Sequence, residues 1–380
     1  MDMFNSSPRL SILHLILSLR PTNGQYNEHC LPMVNKRDIT ICTYFKSEIE
    51  PPAGITLFDG DSSLRGFIRA LQAALADREY DVIHVHTPHA GILLLITLLI
   101  SGLYRKLIPV SVHTVQNSFQ SFQLRHKLMF IPSFAFFRRM VFCSKASYDS
   151  FPGFFKWLGG DRMHVVQNAV DLNRIDRIAK AKQTSRDDHF TIVTVGLIKI
   201  KNSFAVLEAF RQNNDRASKL VFLGEGHLRH LLARKAEELG LQTQVRLTGL
   251  IPRDSVFEYY ASADLFVSAS FGEGLPVAVL EAMACGCPVL LSDIPPHREI
   301  AEGVDFIPLI KPDDVTEFAR EIKKFRDMPV SERKTVGQKC RKLIEERFSL
   351  PAMHARYAEI YAQIKGQQIP SLLDEADLRG

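Results

Sequence analysis

Short apolar runs alternate with segments of helical period along almost the whole chain. In the first half the strand-like runs are 11–17, 39–44, 55–58, 82–86, 108–113, 140–143 and 164–167. Between them, 63–77 carries a helical pattern that opens on Ser63, a residue suited to capping free N–H groups, and 89–103 carries a second one. In the second half, strand-like runs recur at 190–195, 220–223, 245–248, 265–269, 288–291 and 306–309. Alternation of this kind predicts an α/β protein whose parallel sheets are covered by helices on both faces. The charged and weakly periodic segment 173–188 separates the two series. The expectation is two doubly wound, Rossmann-like domains, 1–175 and 176–350, with a helix over 352–364 and a loose tail after Gly366 making up 351–380. Ligands of such sheets bind beyond the carboxyl ends of the strands.

Two apolar stretches resemble membrane segments. Leu10–Leu19 follows Arg9, but His14 interrupts it and Arg20-Pro-Thr-Asn follows where a small-residue cleavage site would stand, so it reads as the first buried strand. Ala90–Leu103 is shorter than the ~18–20 residues needed to cross a bilayer and reads as a helix buried beside a sheet. The six cysteines are scattered, mostly inside apolar runs, and read as reduced core thiols. Only Cys285 and Cys287 lie close together, with no second pair or histidine cluster nearby in sequence to complete a zinc site, so no metal is expected. These features predict a cytoplasmic protein.

Charge changes this picture in one region. Residues 101–175 hold ten Lys/Arg against three Asp/Glu. Arg105-Lys106, Arg125-His126-Lys127 and Arg138-Arg139 are interleaved there with Phe119, Phe122, Phe130, Phe134, Phe136 and Phe137. Basic residues beside exposed aromatics suit an anionic membrane surface, which would place 101–157 against the inner face of the cell membrane. The alternative is that the phenylalanines fill the core while the basic residues are simply solvated. No nucleic-acid motif accompanies the charge, so no nucleic-acid partner is expected.

The chemistry concentrates in Phe271-Gly-Glu-Gly-Leu-Pro-Val-Ala-Val-Leu-Glu-Ala-Met-Ala-Cys-Gly-Cys-Pro288. Pro276 suits the first turn of a helix and Gly286 its stop, so the stretch reads strand, glycine loop, helix, strand. The loop would offer the Gly274 and Leu275 amides beside a helix N-terminus, which favours a phosphate. Glu273 lies in the loop, and Glu281 lies in the helix about 8 Å along its axis beyond Pro276. An ionised carboxylate accepts two hydroxyls at once, as a ribose diol would present them. Taken without their context, the two glutamates are equally an exposed helical residue and a loop residue beside a turn.

With its context, Glu273-Gly-Leu-Pro, Glu281-Ala-Met-Ala-Cys-Gly-Cys-Pro-Val and then Ser292-Asp-Ile-Pro-Pro-His-Arg-Glu299, the stretch resembles the donor-binding signature of the retaining family-4 glycosyltransferases. The resemblance implies the GT-B fold, two Rossmann-like domains facing a central cleft, with the last helix returning to the first domain. It also implies a nucleotide-diphosphate sugar as donor, with no cofactor and no metal. Lys201 matches the family's diphosphate lysine. Gly196 or Leu197 stands where the family has an arginine, and Lys199 is the nearest stand-in, although an ammonium does not copy a planar fork. Gly24 matches a first-loop glycine that contacts the donor, and the Thr248–Arg253 backbone, at Ile251, would meet the base. Val-His-Thr at 112–114 resembles the segment whose histidine reaches the transferred sugar, which makes His113 the first-domain catalytic candidate, with His86 behind it. Asn168-Ala169-Val-Asp resembles the family's domain-closing turn, with alanine where a glycine is usual.

The implied activity is transfer of a hexose or N-acetylhexosamine, with retention, to a hydroxyl of a glycan or lipid-linked acceptor in cell-envelope polysaccharide or glycolipid synthesis. A nucleotide-sugar epimerase and a donor-binding protein without transferase activity remain as alternatives.

Overall fold

The computed structural model describes residues 9–181 and 189–366, and the side chains of 179–181 are left aside. The charged segment between the two series, in part, and the tail after Gly366 lie outside the described residues. Two sheets form, and every recorded pairing within them is parallel.

The first sheet contains β1 (Ser11–Ile16), β2 (Asp38–Thr43), β3 (Ile55–Asp59), β4 (Val82–Val85), β5 (Ser111–Val115), β6 (Arg139–Phe142) and β7 (Met163–Val165), in the order β3-β2-β1-β4-β5-β6-β7. It is covered by α1 (Leu64–Asp77), α2 (Pro88–Ile100), α3 (Tyr104–Leu107), α4 (Leu124–Phe136), α5 (Lys145–Ser150) and α6 (Gly153–Gly159). The Ser63 hydroxyl accepts from the Gly66 amide at 3.0 Å and so caps α1, as the sequence predicts. Two expected boundaries shift for local reasons. Pro109 has no N–H for a sheet ladder, so 108–110 coils into a 3-10 turn and the strand begins at Ser111. Ser101 and Gly102, the latter at φ +68°, stop α2 three residues early.

The second sheet contains β8 (Thr191–Val195), β9 (Lys219–Leu223), β10 (Val245–Leu247), β11 (Leu265–Ser268), β12 (Val289–Ser292) and β13 (Leu309–Ile310), in the order β10-β9-β8-β11-β12-β13. Its helices are α7 (Leu172–Ala181), α8 (Ser203–Gln212), α9 (Arg229–Glu238), α10 (Arg253–Ser262), α11 (Val277–Ala284), α12 (Pro295–Ile300), α13 (Val315–Asp327) and α14 (Val330–Arg347). The last, α15 (Leu350–Ile364), returns to the first sheet, where Leu350, Met353, Tyr357, Ile360 and Tyr361 pack on the same face as Ile12, Ile16, Val112 and Val141. The chain crosses between the sheets near 166–171 and 348–350. These crossings bond to each other, Val170 N–H to the Phe348 carbonyl at 3.0 Å and Leu350 N–H to the Val170 carbonyl at 3.1 Å.

Strand order reverses between β1 and β4 in one sheet and between β8 and β11 in the other. Loops leaving the carboxyl ends of strands at such a reversal diverge and open a crevice. In the second sheet those loops are 196–202 and 269–276.

Candidate functional site

The loop after β8 turns at Gly196, whose φ is +89°, and a Cβ there would lie 2.9 Å from the Lys201 side chain. Glycine therefore both permits the backbone and leaves room for the lysine stem. The 3-10 turn Lys199–Lys201 follows, and it leaves Lys199 exposed to solvent while Lys201 turns inward. The Lys201 ammonium donates to Glu273 at 2.6 Å, and Ser270 Oγ donates to the same carboxylate oxygen at 2.7 Å. Glu273 is buried, and so is His297 nearby, whose Nδ1 lies 2.8 Å from the Ser292 carbonyl. Burial pushes the His297 pKa down to about 4, so this ring is neutral at physiological pH.

At the other end of α11, Glu281 is buried and ion-paired with Arg253 from the start of α10. Burial raises the Glu281 pKa, against the pull of Arg253 and Arg174. Facing this pair from the first domain is Glu28, on a single π turn, Tyr26–Cys30, which follows the loop after β1. Burial raises the Glu28 pKa to about 8, with Arg253 pulling it down and Glu281 pushing it up. A Cβ on Gly24 would lie 3.4 Å from the Glu28 carboxylate, so this first-loop glycine lies under that acid. Ile251, on the loop after β10, is half-buried and packs on the core cluster that contains α11.

Pro276 is the N-cap of α11, one position before the expected one, and Gly274, Leu275 and Pro276 are buried against the first domain. The Leu275 amide faces the buried Cys143 thiol instead of open cleft. Among the described residues the Gly274 amide makes no recorded hydrogen bond. The loop is held by three first-domain side chains: Ser118, Ser144 and Asn168 donate to the carbonyls of Glu273, Gly274 and Leu275 in turn. Asn168 belongs to the turn that resembles the family's domain-closing one, while the only signal of Ser118 and Ser144 in sequence is position after a strand of the first sheet.

Both histidine candidates need correction. Side chains alternate across a strand, and Val112 and Thr114 take the face that meets α15. His113 therefore points the other way, into the core beneath α2 and α4. It is fully buried, with its ring 5.7 Å from Phe130 and 5.2 Å from Phe137, and among the described residues neither ring nitrogen has a partner. Burial lowers its pKa to about 3. The structure does not bring it to Glu273 or Lys201, and the residue of this strand end that meets the donor loop is Gln116, through its carbonyl.

His86 joins a second buried group with His14, His29 and His84. His14 Nδ1 lies 3.0 Å from His86 Nε2, and His84 bonds Tyr361 Oη at 2.8 Å and Thr114 Oγ1 at 2.7 Å. His14, His84 and His86 carry ring nitrogens within 4.8 Å of one another, a spacing a metal ion can use. The grouping has no carboxylate or thiolate, both nitrogens of His84 are engaged, and Arg37 pulls the His14 pKa further down. A dication there would meet a second cation and no counter-charge, so the donor set fits a neutral hydrogen-bonded network better.

Of the two positions that stand where the family has an arginine, Gly196 turns the backbone beside Lys201 and Leu197 enters the core. Leu197 is fully buried among Ile192, Phe222 and Leu265, and its carbonyl lies 2.2 Å from where a Gly226 Cβ would be.

Comparison with known proteins places these features in a family. The family described as "Glycosyltransferase Family 4" matches residues 45–174, and "Glycosyl transferases group 1" matches 176–343. EpsD of Bacillus subtilis (strain 168), named as a glycosyltransferase, is 27% identical over 308 residues, 77% of this chain and 79% of its own length. The UDP-Gal:alpha-D-GlcNAc-diphosphoundecaprenol alpha-1,3-galactosyltransferase of Escherichia coli is 24% identical, over 77% of this chain and 78% of its own. Among solved structures, the sucrose-phosphate synthase of Thermosynechococcus elongatus superposes with a TM-score of 0.77 at 16% identity, covering 94% of this chain and all of that one. HepE of Anabaena, crystallised with UDP and glucose, superposes with a TM-score of 0.75 at 18% identity, over 93% of this chain and all of its own.

Proposed function

The chain belongs to the family-4 glycosyltransferases of GT-B fold, and from that premise we propose that it moves a hexose or N-acetylhexosamine from a nucleotide-diphosphate sugar to a hydroxyl acceptor with retention of configuration. The observation that carries this reading is the convergence of Lys201, Glu273 and the start of α11 at the strand-order reversal of the second sheet. As the bond between sugar and phosphate breaks, negative charge grows on the departing diphosphate. Lys201, the Gly274 amide and the first-turn amides of α11 stabilise that charge more as it develops, which is the condition for acceleration. Lys201 now pairs with Glu273, and a bound diphosphate would take its place as that ammonium's partner. The freed carboxylate then accepts hydroxyls of the transferred sugar, while Glu281 exchanges Arg253 for the ribose diol. Closure of the two domains keeps water from the activated sugar. The chemistry described uses side chains and amides alone, and no metal is assigned to it.

The acceptor reading joins relatives and surface. Named relatives act on diphosphoundecaprenol-linked sugars, as in Escherichia coli and Campylobacter jejuni. On this chain the face formed by α2, α4 and α6 exposes Ile100 (69%), Leu124 (71%) and Trp157 (76%), with Leu99, Leu128 and Phe154 also open to solvent. Arg105, Lys106, Arg125 and Lys127 lie in or beside the same helices. An apolar and basic face of this kind suits the anionic inner surface of a membrane, and with it a lipid-linked acceptor in envelope glycan or glycolipid synthesis.

Incubation of the protein with a panel of nucleotide-diphosphate sugars and lipid extract tests the proposal. A product whose anomeric configuration by NMR equals the donor's is expected, and an inverted product would overturn the retaining assignment. The buried Leu197 favours a second reading, a donor-binding protein without turnover. Tight donor binding with no product from any acceptor fraction would select it.

A further inference from the structure

The donor loop of the second domain is seated inside the first. Three consecutive carbonyls accept from three first-domain side chains: Glu273 from Ser118 Oγ, Gly274 from Ser144 Oγ at 2.8 Å, and Leu275 from Asn168 Nδ2 at 2.9 Å. The fit is close enough that a Cβ on Gly274 would lie 2.3 Å from the Gln116 carbonyl oxygen and 2.8 Å from Cys143 Sγ. A second contact holds the same arrangement. Glu299, on α12, accepts from the Lys145 and Ala146 amides at 3.0 and 2.8 Å and from Gln167 Nε2 at 2.6 Å, all across the domain boundary.

Glu273 stands between Gly272 and Gly274. Glycines on both sides leave the loop's own backbone preference too weak to aim the residue between them. Its carboxylate is held by Lys201 and Ser270 from the second domain, but a bound diphosphate would draw Lys201 away. What then fixes the Glu273 backbone is the seat. In a trans peptide the carbonyl and the next N–H point in opposite directions. The Ser118 bond to the Glu273 carbonyl therefore also turns the Gly274 amide away from Ser118.

We infer that Ser118, Ser144 and Asn168 are positioning residues for the transferred sugar: by holding the backbone of 273–275 they aim the Glu273 carboxylate, so the sugar part of the donor site is complete only with the domains closed. This rests on the role given to Glu273 above. The nucleotide part rests mainly on Lys201, Glu281 and the first-turn amides of α11, which the seat does not bond, and the Gly274 amide is the one group of it that the seat also turns.

Calorimetric titration with UDP against UDP-glucose, and with the GDP and ADP pairs alongside, reads the two parts separately. Asn168→Ala and Ser118→Ala should leave nucleoside-diphosphate affinity within about twofold while reducing the extra affinity that the sugar confers by about 2- to 13-fold, one neutral hydrogen bond's worth. Ser144 also caps α5 through the Ser147 amide, so Ser144→Thr, which keeps the hydroxyl, serves as its control and should stay near wild type. Glu299→Gln, which alters no donor contact, should lower the sugar increment in the same direction. An unchanged increment in all three weakened variants overturns the inference. Hydrogen exchange over 271–279 provides a readout without ligand, and the Asn168 and Ser118 variants should exchange at least about tenfold faster than wild type. If exchange is accelerated but no nucleotide binds wild type, the seat stands and the donor reading falls. If wild type binds donor and exchange is unaltered in the variants, the seat falls alone.

Discussion

Lys201 and Glu273 satisfy each other in the structure, each being the group that a donor would otherwise engage. Removing the lysine therefore has two consequences: the diphosphate loses its cation and Glu273 is left a buried carboxylate with one neutral hydroxyl, Ser270, still donating to it. Lys201→Ala should lower turnover by about 10²–10³-fold, the usual loss when one stabilising donor is removed from developing charge, with a smaller loss of stability. Steady-state kinetics beside a melting curve check this, and unchanged turnover would contradict the role. Gly274→Ala makes a separate prediction. Its Cβ meets backbone, not a movable side-chain tip, so the loop cannot seat. Turnover should fall at least about tenfold while the melting temperature of the second domain barely moves. Normal turnover in Gly274→Ala would show that the seat is not used.

At the level of elements, most of the fold was legible in the sequence because apolar runs and helical periods are local properties. Strands β1 to β6 and β8 to β12 fall within a few residues of their expected places, and Pro109 and Gly102 explain where 108–113 and 89–103 differ. The candidate site was legible as a location where a short motif marks it, since Glu273 and Glu281 do lie on the loop and helix beside the strand-order reversal. It was not legible where a side chain's direction decides. His113 and Thr114 are neighbours in sequence, and only the pleat of β5 determines that the hydroxyl meets α15 while the imidazole enters the core. The phenylalanine-rich segment behaves similarly. Phe130, Phe134 and Phe137 fill the core, Phe136 alone of that run is strongly exposed, and the open apolar positions on this face are mainly leucines, isoleucines and Trp157. Helix α2, expected to be buried, likewise shows Ile96, Leu99 and Ile100 to solvent. The contacts of Ser118, Ser144 and Asn168 with the donor loop were invisible because their partners lie more than a hundred residues away.

For the whole molecule, buried histidines set the response to acid. Burial lowers the pKa of His14 and His113 to about 3 and of His297 and His354 to about 4, and depresses His29, His84 and His86 as well. The unfolded chain takes up these protons from about pH 6.5 downward while the folded chain does not. Each such group therefore destabilises the folded chain progressively as the pH falls below about 6.5. Glu28 acts in the opposite sense, since its folded pKa of about 8 favours the folded state's protonation between about 4.5 and 8, and Glu281, also raised by burial, acts with it. The histidines outnumber these two, so the melting temperature should drop steeply from pH 6 to 4, and a flat profile over that range would contradict the neutral histidine network.

Among the described residues no helix is long and apolar enough to cross a membrane, and the face proposed to meet one is the apolar and basic surface of α2, α4 and α6. The protein should sediment with phosphatidylglycerol vesicles and not with phosphatidylcholine ones, and Trp157→Ala with Lys127→Glu should release it. Equal sedimentation with both lipids would remove the charge from the account.

In the proposed complex the strand-order reversal of the second sheet holds a nucleotide-diphosphate sugar between Lys201, Glu273 and Glu281. Isothermal titration of the full chain with a panel of nucleotide-diphosphate sugars, with Glu281→Ala and Lys201→Ala beside wild type, tests it most directly. One donor should bind wild type, with affinity lost at least about tenfold in each variant. Wild type that binds no member of the panel and no free nucleoside diphosphate, or that binds one equally well without Glu281 and Lys201, would contradict it.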